Sequence, residues 1–392
     1  MTVDADDNII VSGYERGTVG VTNIEPDGNS RAVVVKYGPA GTMSWKAVLD
    51  TPATDTAEDV AIDPATGTLV ALGRTSGAFP PFANQGQFDL ILAALEPDGR
   101  IATVFQNGNE RPQHPARVSV APGGAIAVAG WDDTYVPSNY VAGQQDGFVA
   151  TFTVDPDPAH ALKQASLQYT LPPSRTGPFS YATGVAADPD GSGAVYVTGK
   201  VSTNNIGLQG IFVTKLRADQ SVVWNEIIST LGSDAVNAVA LSPSGDLFVT
   251  GATSLTIGPS SSGQQDAYLL KIDKATGALI WVAEGGGAGT DYPTALAFDR
   301  TGNIYVAGVT FGSVVDDVAN QGSGDIFAMK FSPSGEQLGA WQRGTPTYDQ
   351  ITSMAVDRCG RVFVGGFTAG ALVPGQPSAG AQDMFILKAD LP

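Results

Sequence analysis

Short apolar runs that end in glycine recur along this chain at a nearly constant spacing. Each run has valine or an aromatic residue near its centre, and the seven copies end at Gly13, Gly73, Gly130, Gly199, Gly251, Gly308 and Gly366. The first and last of these glycines are 353 residues apart, so the six intervals average about 59 residues. A fixed period of this kind, carried by β-type runs, indicates a repeat architecture and not a series of unrelated domains.

Each repeat contains four β-type runs. The first is small and apolar, and a tight turn with Asp or Ser at its start and Gly at its end leads into the glycine-terminated second run. The third reads Asp-x-aromatic-x-x-Lys, as in residues 266–271, and the fourth carries tryptophan in four copies, at Trp45, Trp224, Trp281 and Trp341. Four antiparallel strands repeated seven times predict an all-β fold, a seven-bladed β-propeller built from four-stranded antiparallel blades.

The whole chain, residues 1–392, is predicted to form a single β-propeller domain. The predicted blades cover about 1–51, 52–108, 109–174, 175–232, 233–287, 288–345 and 346–392. Only four residues precede the first turn, and the last blade stops after its third run, so both of these blades are predicted to be incomplete. Because open sheet edges are usually covered or closed, we expect further residues of the native protein to supply a closing strand.

One repeat unit reads Asp-x-x-Gly-Asn-x-Tyr-Val-x-Gly, then Asp-aromatic-x-x-Lys, then Gly-x-x-x-Trp, and blades five and six fit this pattern best. The pattern resembles the SBBP family of bacterial β-propeller repeats. Blade three departs from it, with Thr151 at the lysine position and a longer excursion over residues 154–174, and blade four has Gly210 at the aspartate position. The resemblance implies the propeller fold and a secreted or surface-exposed bacterial protein, and it implies no reaction.

Composition narrows the classes of partner. The net charge of −18 repels phosphate backbones and anionic lipid, which argues against nucleic acid and direct membrane insertion. The single cysteine, Cys359, excludes an internal disulfide framework. The residues after Met1 are polar and do not form a signal peptide. The chain is therefore either cytosolic or a mature protein without its leader, and the resemblance favours an extracellular, cell-surface or periplasmic location.

Four blades carry an aspartate eight residues before the end of the first run, and repeat symmetry predicts that these residues surround the mouth of a central channel. They are Asp55, Asp234, Asp291 and Asp349, and the equivalent positions in blades three and four hold Gln113 and Ser180. A ring of carboxylates suits a hard cation such as Ca²⁺, which prefers oxygen ligands. The favoured interpretation is that each aspartate caps the backbone amides of its own loop, so no cofactor is expected and Ca²⁺ is the candidate ion.

The loops between the second and third runs carry aromatic residues beside polar ones. The candidate ligand-binding residues on this loop-rich face are Trp131, Asp132, Tyr135, Tyr140, Phe79, Phe82 and Phe311. Aromatic faces next to orienting polar groups suit a carbohydrate or protein partner. The alternative is that these rings hold long loops over the ends of the blades.

Catalytic motifs are scarce. The chain has two histidines, His114 and His160, and it contains neither a Gly-x-Ser-x-Gly elbow nor a phosphate-binding Gly-x-x-x-x-Gly-Lys loop. The leading hypothesis is a non-catalytic extracellular binding or scaffold module. A metal-dependent lyase or hydrolase acting on a polysaccharide or small metabolite at the channel mouth is the alternative, and a structural spacer is the third.

Overall fold

The computed structural model describes most of the chain as β-strand and turn. It describes residues 1–16, 29–133, 145–154, 162–171, 179–202, 209–228, 232–255, 257, 264–373, 375–376, 378 and 382–391. Within these residues no helix has the length and apolar character that crossing a bilayer requires.

Twenty-seven strands are described. They are β1 (Thr2–Val3), β2 (Ile9–Arg16), β3 (Ser30–Tyr37), β4 (Met43–Leu49), β5 (Asp55–Ile62), β6 (Leu69–Thr75), β7 (Asp89–Leu95), β8 (Ile101–Asn107), β9 (Gln113–Ala121), β10 (Ala125–Asp133), β11 (Gln145–Val154), β12 (Leu162–Leu171), β13 (Ser180–Ala187), β14 (Val195–Ser202), β15 (Gln209–Leu216), β16 (Val222–Ile228), β17 (Asp234–Leu241), β18 (Leu247–Thr253), β19 (Asp266–Ile272), β20 (Leu279–Gly285), β21 (Asp291–Phe298), β22 (Ile304–Thr310), β23 (Asp325–Phe331), β24 (Gln337–Arg343), β25 (Asp349–Val356), β26 (Val362–Thr368) and β27 (Asp383–Ala389).

The strands form seven antiparallel sheets in which neighbours in sequence are neighbours in space. Six sheets have four strands in the order first, second, third, fourth, and the last, β25-β26-β27, has three among the described residues. In the first sheet β1 has only two residues and pairs with the start of β2. This arrangement confirms the predicted fold class, a seven-bladed β-propeller of four-stranded antiparallel blades.

The chain divides into two compact units. The first comprises Met1–Val197, Val201–Asn205 and Leu216–Val223, and the second comprises Thr198–Lys200, Ile206–Lys215 and Trp224–Pro392. The division passes through the fourth blade. Blades one to three lie in the first unit and blades five to seven in the second.

Within each unit the first strand of a blade packs on the blade before it. In the first unit β5 contacts β2 and β3, and β9 contacts β5 and β6. In the second unit β21 contacts β17 and β18, and β25 contacts β21 and β22. The second strands β18 and β22 are buried on both faces along their whole length, because each lies in a sheet between neighbouring sheets. Apolar clusters therefore form between blades.

In blades two, three, five, six and seven, the glycine that ends the apolar run lies opposite a bulge in the first strand. The pairing of β21 with β22 shifts between Pro293 and Ala295, and Gly308 lies at this shift. A Cβ on Gly308 would overlap the carbonyl oxygen of Tyr292, and one on Gly251 would overlap that of Ala235. The glycine therefore recurs because the bulged backbone occupies the space of a side chain.

Tryptophans on the fourth strand cover the junction with the next blade. The Trp45 indole Nε1 donates to the carbonyl oxygen of Pro97 at 3.1 Å, and that of Trp224 donates to the carbonyl oxygen of Lys274 at 3.2 Å. Each ring lies against a glycine of the same turn, Gly99 or Gly277, where a Cβ would meet the indole. Trp341 lies two pairs further along its strand, opposite Ala328, whereas Trp45 and Trp281 lie opposite Lys36 and Lys271.

We predict that Gly308→Ala lowers the free energy of unfolding by about 1–3 kcal/mol, because the added methyl group overpacks the bulge. Urea denaturation followed by circular dichroism measures the change. Gly38→Ala is the control, since the nearest atom to a Cβ at this buried glycine is Thr42 Oγ1 at 3.4 Å. Equal stability of Gly308→Ala and wild type would contradict the explanation.

Candidate functional site

The four predicted ring aspartates are each the first residue of a first strand, in β5, β17, β21 and β25, and all four side chains are buried. Asp55 Oδ2 accepts a hydrogen bond from the Thr51 amide at 2.6 Å, and Asp349 Oδ2 accepts one from the Thr345 amide at 2.6 Å. Asp291 Oδ2 accepts the amide of Gly287 at 2.9 Å. Each of these three aspartates therefore caps the linker that enters its own blade.

A threonine at the end of the second strand faces the same aspartates. Thr253 pairs with Asp234 across the two strands, and its hydroxyl donates to Asp234 Oδ1 at 2.8 Å. The hydroxyl of Thr368 donates to Asp349 Oδ1 in the same way. These contacts favour the capping role. Among the described residues no group of three or more His, Cys, Asp or Glu side chains has an arrangement that could hold a metal ion. A Ca²⁺ site at the four aspartates stays a prediction.

Burial changes the acidity of two of these groups. Desolvation raises the pKa of Asp55 despite hydrogen bonds from Thr75 and Thr51. Desolvation also raises the pKa of Asp291, and the negative charge of Asp266 adds to this effect. Both carboxylates are therefore harder to ionise in the folded protein than in the unfolded chain.

A second group of side chains lies at the same end of the strands in the first unit. Trp131 in β10 pairs directly with His114 in β9, and their rings stack with centroids 5.2 Å apart and an interplanar angle of 11°. Tyr181, the second residue of β13, meets Trp131 edge to face at 5.5 Å, and Phe179 lies 5.6 Å from Tyr181. We call His114, Trp131, Phe179 and Tyr181 the aromatic patch. All four side chains are partly exposed.

A chain of polar contacts crosses the aromatic patch. His114 Nε2 lies 3.1 Å from Asp133 Oδ2, and Gln145 Nε2 donates to Asp133 Oδ1 at 3.3 Å. The Tyr181 hydroxyl donates to Gln145 Oε1 at 2.5 Å. On the other side of the imidazole, Arg74 Nη1 lies 3.1 Å from His114 Nδ1. Burial, followed by the charge of Asp133, raises the pKa of Tyr181, so its hydroxyl stays protonated and able to donate.

These contacts determine the tautomer of His114. A guanidinium group can only donate, so Nδ1 must accept the proton of Arg74. The proton of the neutral imidazole is then on Nε2, where it is donated to Asp133. Both ring nitrogens of His114 are thereby engaged within the protein, and neither is free to take a proton from a substrate.

Arg74 is itself held by blade two. Its guanidinium carbon lies 4.8 Å from the centre of the Phe88 ring, and its Nε lies 3.4 Å from Glu58 Oε1. The resulting surface combines one cation, two anions, an amide and four aromatic rings.

Other predicted ligand-binding residues lie elsewhere. Asp132 is buried, with 1% of its surface exposed, and accepts a hydrogen bond from Asn109 Nδ2 at 3.2 Å; burial raises its pKa. Alternate residues of a strand point to opposite faces of the sheet. Asp132 therefore lies on the buried face, and its neighbour Asp133 lies on the exposed face. Tyr135 and Tyr140 lie outside the described residues.

Phe79 and Phe82 pack on blade two itself. Phe79 lies against the apolar cluster between blades one and two, and its amide donates to Gln106 Oε1 at 2.8 Å. Phe82 meets Phe105 edge to face at 5.5 Å. These contacts favour the interpretation that both rings hold a loop in place.

Phe311 belongs to a separate row of rings in the second unit. It is 46% exposed, with Tyr292 at 6.5 Å and Tyr348 at 6.2 Å, and Phe367 continues the row 6.2 Å from Tyr348. The Tyr348 hydroxyl donates to Gln350 Oε1 at 3.1 Å. This row has fewer charged neighbours among the described contacts than the aromatic patch.

Sequence reasoning missed the roles of Arg74, His114, Asp133 and Tyr181. The strand register could have indicated one of these contacts, because the residue that follows the repeat glycine pairs with the second residue of the first strand. Trp131 follows Gly130 and therefore faces His114. The approach of Arg74 and Tyr181 from neighbouring blades has no counterpart in the spacing of the repeat.

Residues 280–313 match the family model described as SBBP, beta-propeller repeat. This segment is therefore similar to one SBBP repeat, and the seven sheets show that the chain is a β-propeller. No curated protein matches the chain.

Solved structures similar to the chain include three hydrolases. The phage phi92 endosialidase has a TM-score of 0.47 at 11% identity, over 99% of this chain and 66% of the endosialidase. A puromycin hydrolase has a TM-score of 0.45 at 16% identity, over 93% of this chain and 49% of the hydrolase. The α-L-arabinofuranosidase Arb93A from Fusarium graminearum has a TM-score of 0.48 at 11% identity, over 85% of this chain and 91% of the enzyme. The chain thus spans about half to two thirds of the first two, and likenesses this distant carry no inference about activity.

We predict opposite pH dependences for Asp291→Asn and Asp4→Asn. The raised pKa of Asp291 means that its carboxylate binds a proton more readily in the folded state than in the unfolded state. The contribution of Asp291 to stability therefore falls as the pH rises through the pKa of the folded state. For Asp4, hydrogen bonds from Lys36 and Asn8 outweigh burial and lower the pKa, so its contribution is lost as pH falls.

Urea denaturation between pH 7.5 and 5.0 tests this prediction. The stability of wild type relative to Asp291→Asn should rise toward pH 5.0, and that relative to Asp4→Asn should stay level or fall. No rise relative to Asp291→Asn would contradict the assignment of Asp291, and a rise relative to Asp4→Asn would contradict that of Asp4.

We predict that EDTA leaves the melting temperature unchanged within about 1 °C, because loop amides and threonine hydroxyls already serve the buried aspartates. Calorimetry in EDTA and in excess Ca²⁺ measures the shift. A metal ion that binds only the folded state, at a concentration of about 100 times its Kd, would raise the free energy of unfolding by about 2.7 kcal/mol. A Ca²⁺-dependent rise that is lost in Asp234→Asn and Asp291→Asn would establish the cation site instead.

Proposed function

We propose that this β-propeller is a non-catalytic binding module whose aromatic patch holds a carbohydrate ligand. The observation that supports the proposal is the partly exposed Trp131–His114 stack with Tyr181 at its edge. Aromatic rings offer apolar area to the C–H faces of a sugar, and few other side chains offer so much area at so little conformational cost.

The polar groups around the rings complement sugar hydroxyls. The side chain of Asp133, which carries a carboxylate, is 42% exposed, and the side chain of Arg74, which carries a guanidinium group, is 29% exposed. A carboxylate accepts and a guanidinium donates, and because the two groups lie on opposite sides of the His114 imidazole, they suit hydroxyl groups at separate positions of a sugar ligand. Because Gln145, Tyr181 and His114 hold these groups in place, the surface is ordered before a ligand arrives.

Binding is favoured over catalysis by the state of the same residues. His114 has both nitrogens engaged, and Asp133 receives hydrogen bonds from His114 and Gln145, so neither is poised as a general base. The net charge of −18 suits a protein that stays in solution beside polysaccharide or cell surfaces. An extracellular or cell-surface location, suggested by the repeat family, is part of this proposal.

We predict that Trp131→Ala lowers carbohydrate affinity at least about tenfold without loss of the fold. A glycan array with the wild-type protein identifies the ligand, and isothermal titration with that glycan compares the variants. Phe311→Ala is the matched control, because it removes another exposed ring from a different blade and should bind as wild type does.

Two results would contradict the proposal. Equal affinity of Trp131→Ala and wild type would remove the aromatic patch from the site. An array without any bound glycan would exclude a carbohydrate, and peptide display against the same two variants would then test for a protein partner.

A further inference from the structure

A cavity of about 360 Å³ lies between blades three and four, at the opposite end of the strands from the aromatic patch. Its walls come from the start of β10, the ends of β11 and β13, and the turn that follows β15. Most lining side chains are small or apolar, among them Ala127, Phe152, Ala165, Ala187, Val195 and Ala218. All of these residues belong to the first unit.

The equivalent space between blades five and six is filled by three aromatic rings. Phe248 lies 5.8 Å from Trp281 and 5.4 Å from Phe298, and all three belong to one apolar cluster. The three rings occupy defined positions of the repeat. Phe248 is the third residue before the repeat glycine of blade five, Trp281 lies opposite Lys271 in the same blade, and Phe298 is the last residue of β21 in blade six.

At the junction of blades three and four, small residues occupy all three positions. Ala127 is the third residue before Gly130, Ser166 lies opposite Thr151, and Ala187 ends β13. Two other junctions keep large residues in this region. They are Ile10, Trp45 and Ile62 between blades one and two, and Tyr305, Val356 and Trp341 between blades six and seven, where Trp341 lies two residues further along its strand. The cavity is therefore the space that aromatic rings fill elsewhere in the same repeat.

The turn that follows β15, beside the cavity, also differs from the equivalent turns of other blades. Gln220, with a φ of 66°, stands where Gly99 and Gly277 lie under indole rings in other blades. Its Nε2 donates to Ser166 Oγ at 2.7 Å. A serine–glutamine hydrogen bond thus replaces the tryptophan–glycine contact and leaves the apolar volume beneath it open.

A hydrogen-bond acceptor accompanies this volume. In the other blades, the carbonyl groups of Pro97 and Lys274 accept the indole N–H. The residue at the same place in the turn of blade four is Ala218, which lines the cavity. Thr151, Thr153 and Asp188 also line the cavity, but most of its wall is apolar. A mostly apolar space with a hydrogen-bond acceptor is suited to an aromatic ring that carries an N–H group.

We propose that this cavity is a binding site for a small planar aromatic molecule of the indole class. The ring occupies the space between Ala127, Phe152 and Ala187, and its N–H group donates to the carbonyl oxygen of Ala218. A volume of this size is within the range of small-molecule sites, and dry apolar cavities in other proteins take up aromatic rings. The site is independent of the proposed carbohydrate surface.

Thermal melting of the whole chain with indole tests the proposal. Saturating indole should raise the melting temperature of the wild-type protein by about 2–4 °C. Ala127→Phe restores the ring found in blade five, so it should fill the cavity and abolish the indole-dependent rise. If this variant does not fold, Ala187→Val tests the same space with a smaller side chain and should reduce the rise.

Phe248→Ala is the reciprocal control, because it opens the equivalent space between blades five and six and should gain an indole-dependent rise. 1-Methylindole, which lacks the N–H donor, should bind the wild-type protein at least about fivefold more weakly than indole. An unchanged melting temperature of the wild-type protein at saturating indole overturns the proposal, as does an equal rise in Ala127→Phe.

Discussion

Each blade of this protein has two apolar faces that its own four strands cannot bury. Burial requires a neighbouring sheet on each side, and the apolar clusters accordingly lie between blades and not within them. The recurrent features of the sequence serve this stacking. The bulge opposite the repeat glycine lets the backbone of the first strand approach the second closely, and the fourth-strand tryptophan closes the junction with the next blade. Loss of the stacking contact between two blades would expose the facing apolar surfaces of both at once. The stability of one blade and that of the whole protein are therefore closely linked.

The loop end of the blades has a different requirement, because the chain must pass from the outer strand of one blade to the inner strand of the next. An aspartate at the start of the inner strand meets this requirement by accepting the linker amide and, in blades five and seven, the threonine hydroxyl of the second strand. The carboxylates are buried, and hydrogen bonds to the charged form offset part of the cost of desolvation. Capping therefore explains the aspartates that repeat symmetry had also suggested as metal ligands.

Blade three departs from the repeat at both ends. At the loop end, Gln113 and Asp132 replace the aspartate and the threonine, and the neighbouring surface carries the Trp131–His114 stack. At the turn end, Ala127 and Ser166 replace an aromatic residue and a tryptophan, and a cavity results. Both proposed sites lie where the stacking pattern is relaxed, because a position that is not needed for the repeat is available for a ligand.

The sequence by itself determined the strand content, the number of blades and the glycine-terminated strand, since these follow from periodicity and from a backbone arrangement that accepts only glycine. It also indicated that Asp55 and Asp349 cap loops, because a residue that recurs in several blades usually serves the fold. Only the tertiary structure decided that Asp132 is buried while Asp133 is exposed, and that Arg74 and Tyr181 meet at His114. These contacts join different blades, and the orientation of a side chain toward a neighbouring blade depends on how the sheets stack, which the spacing within one repeat does not specify.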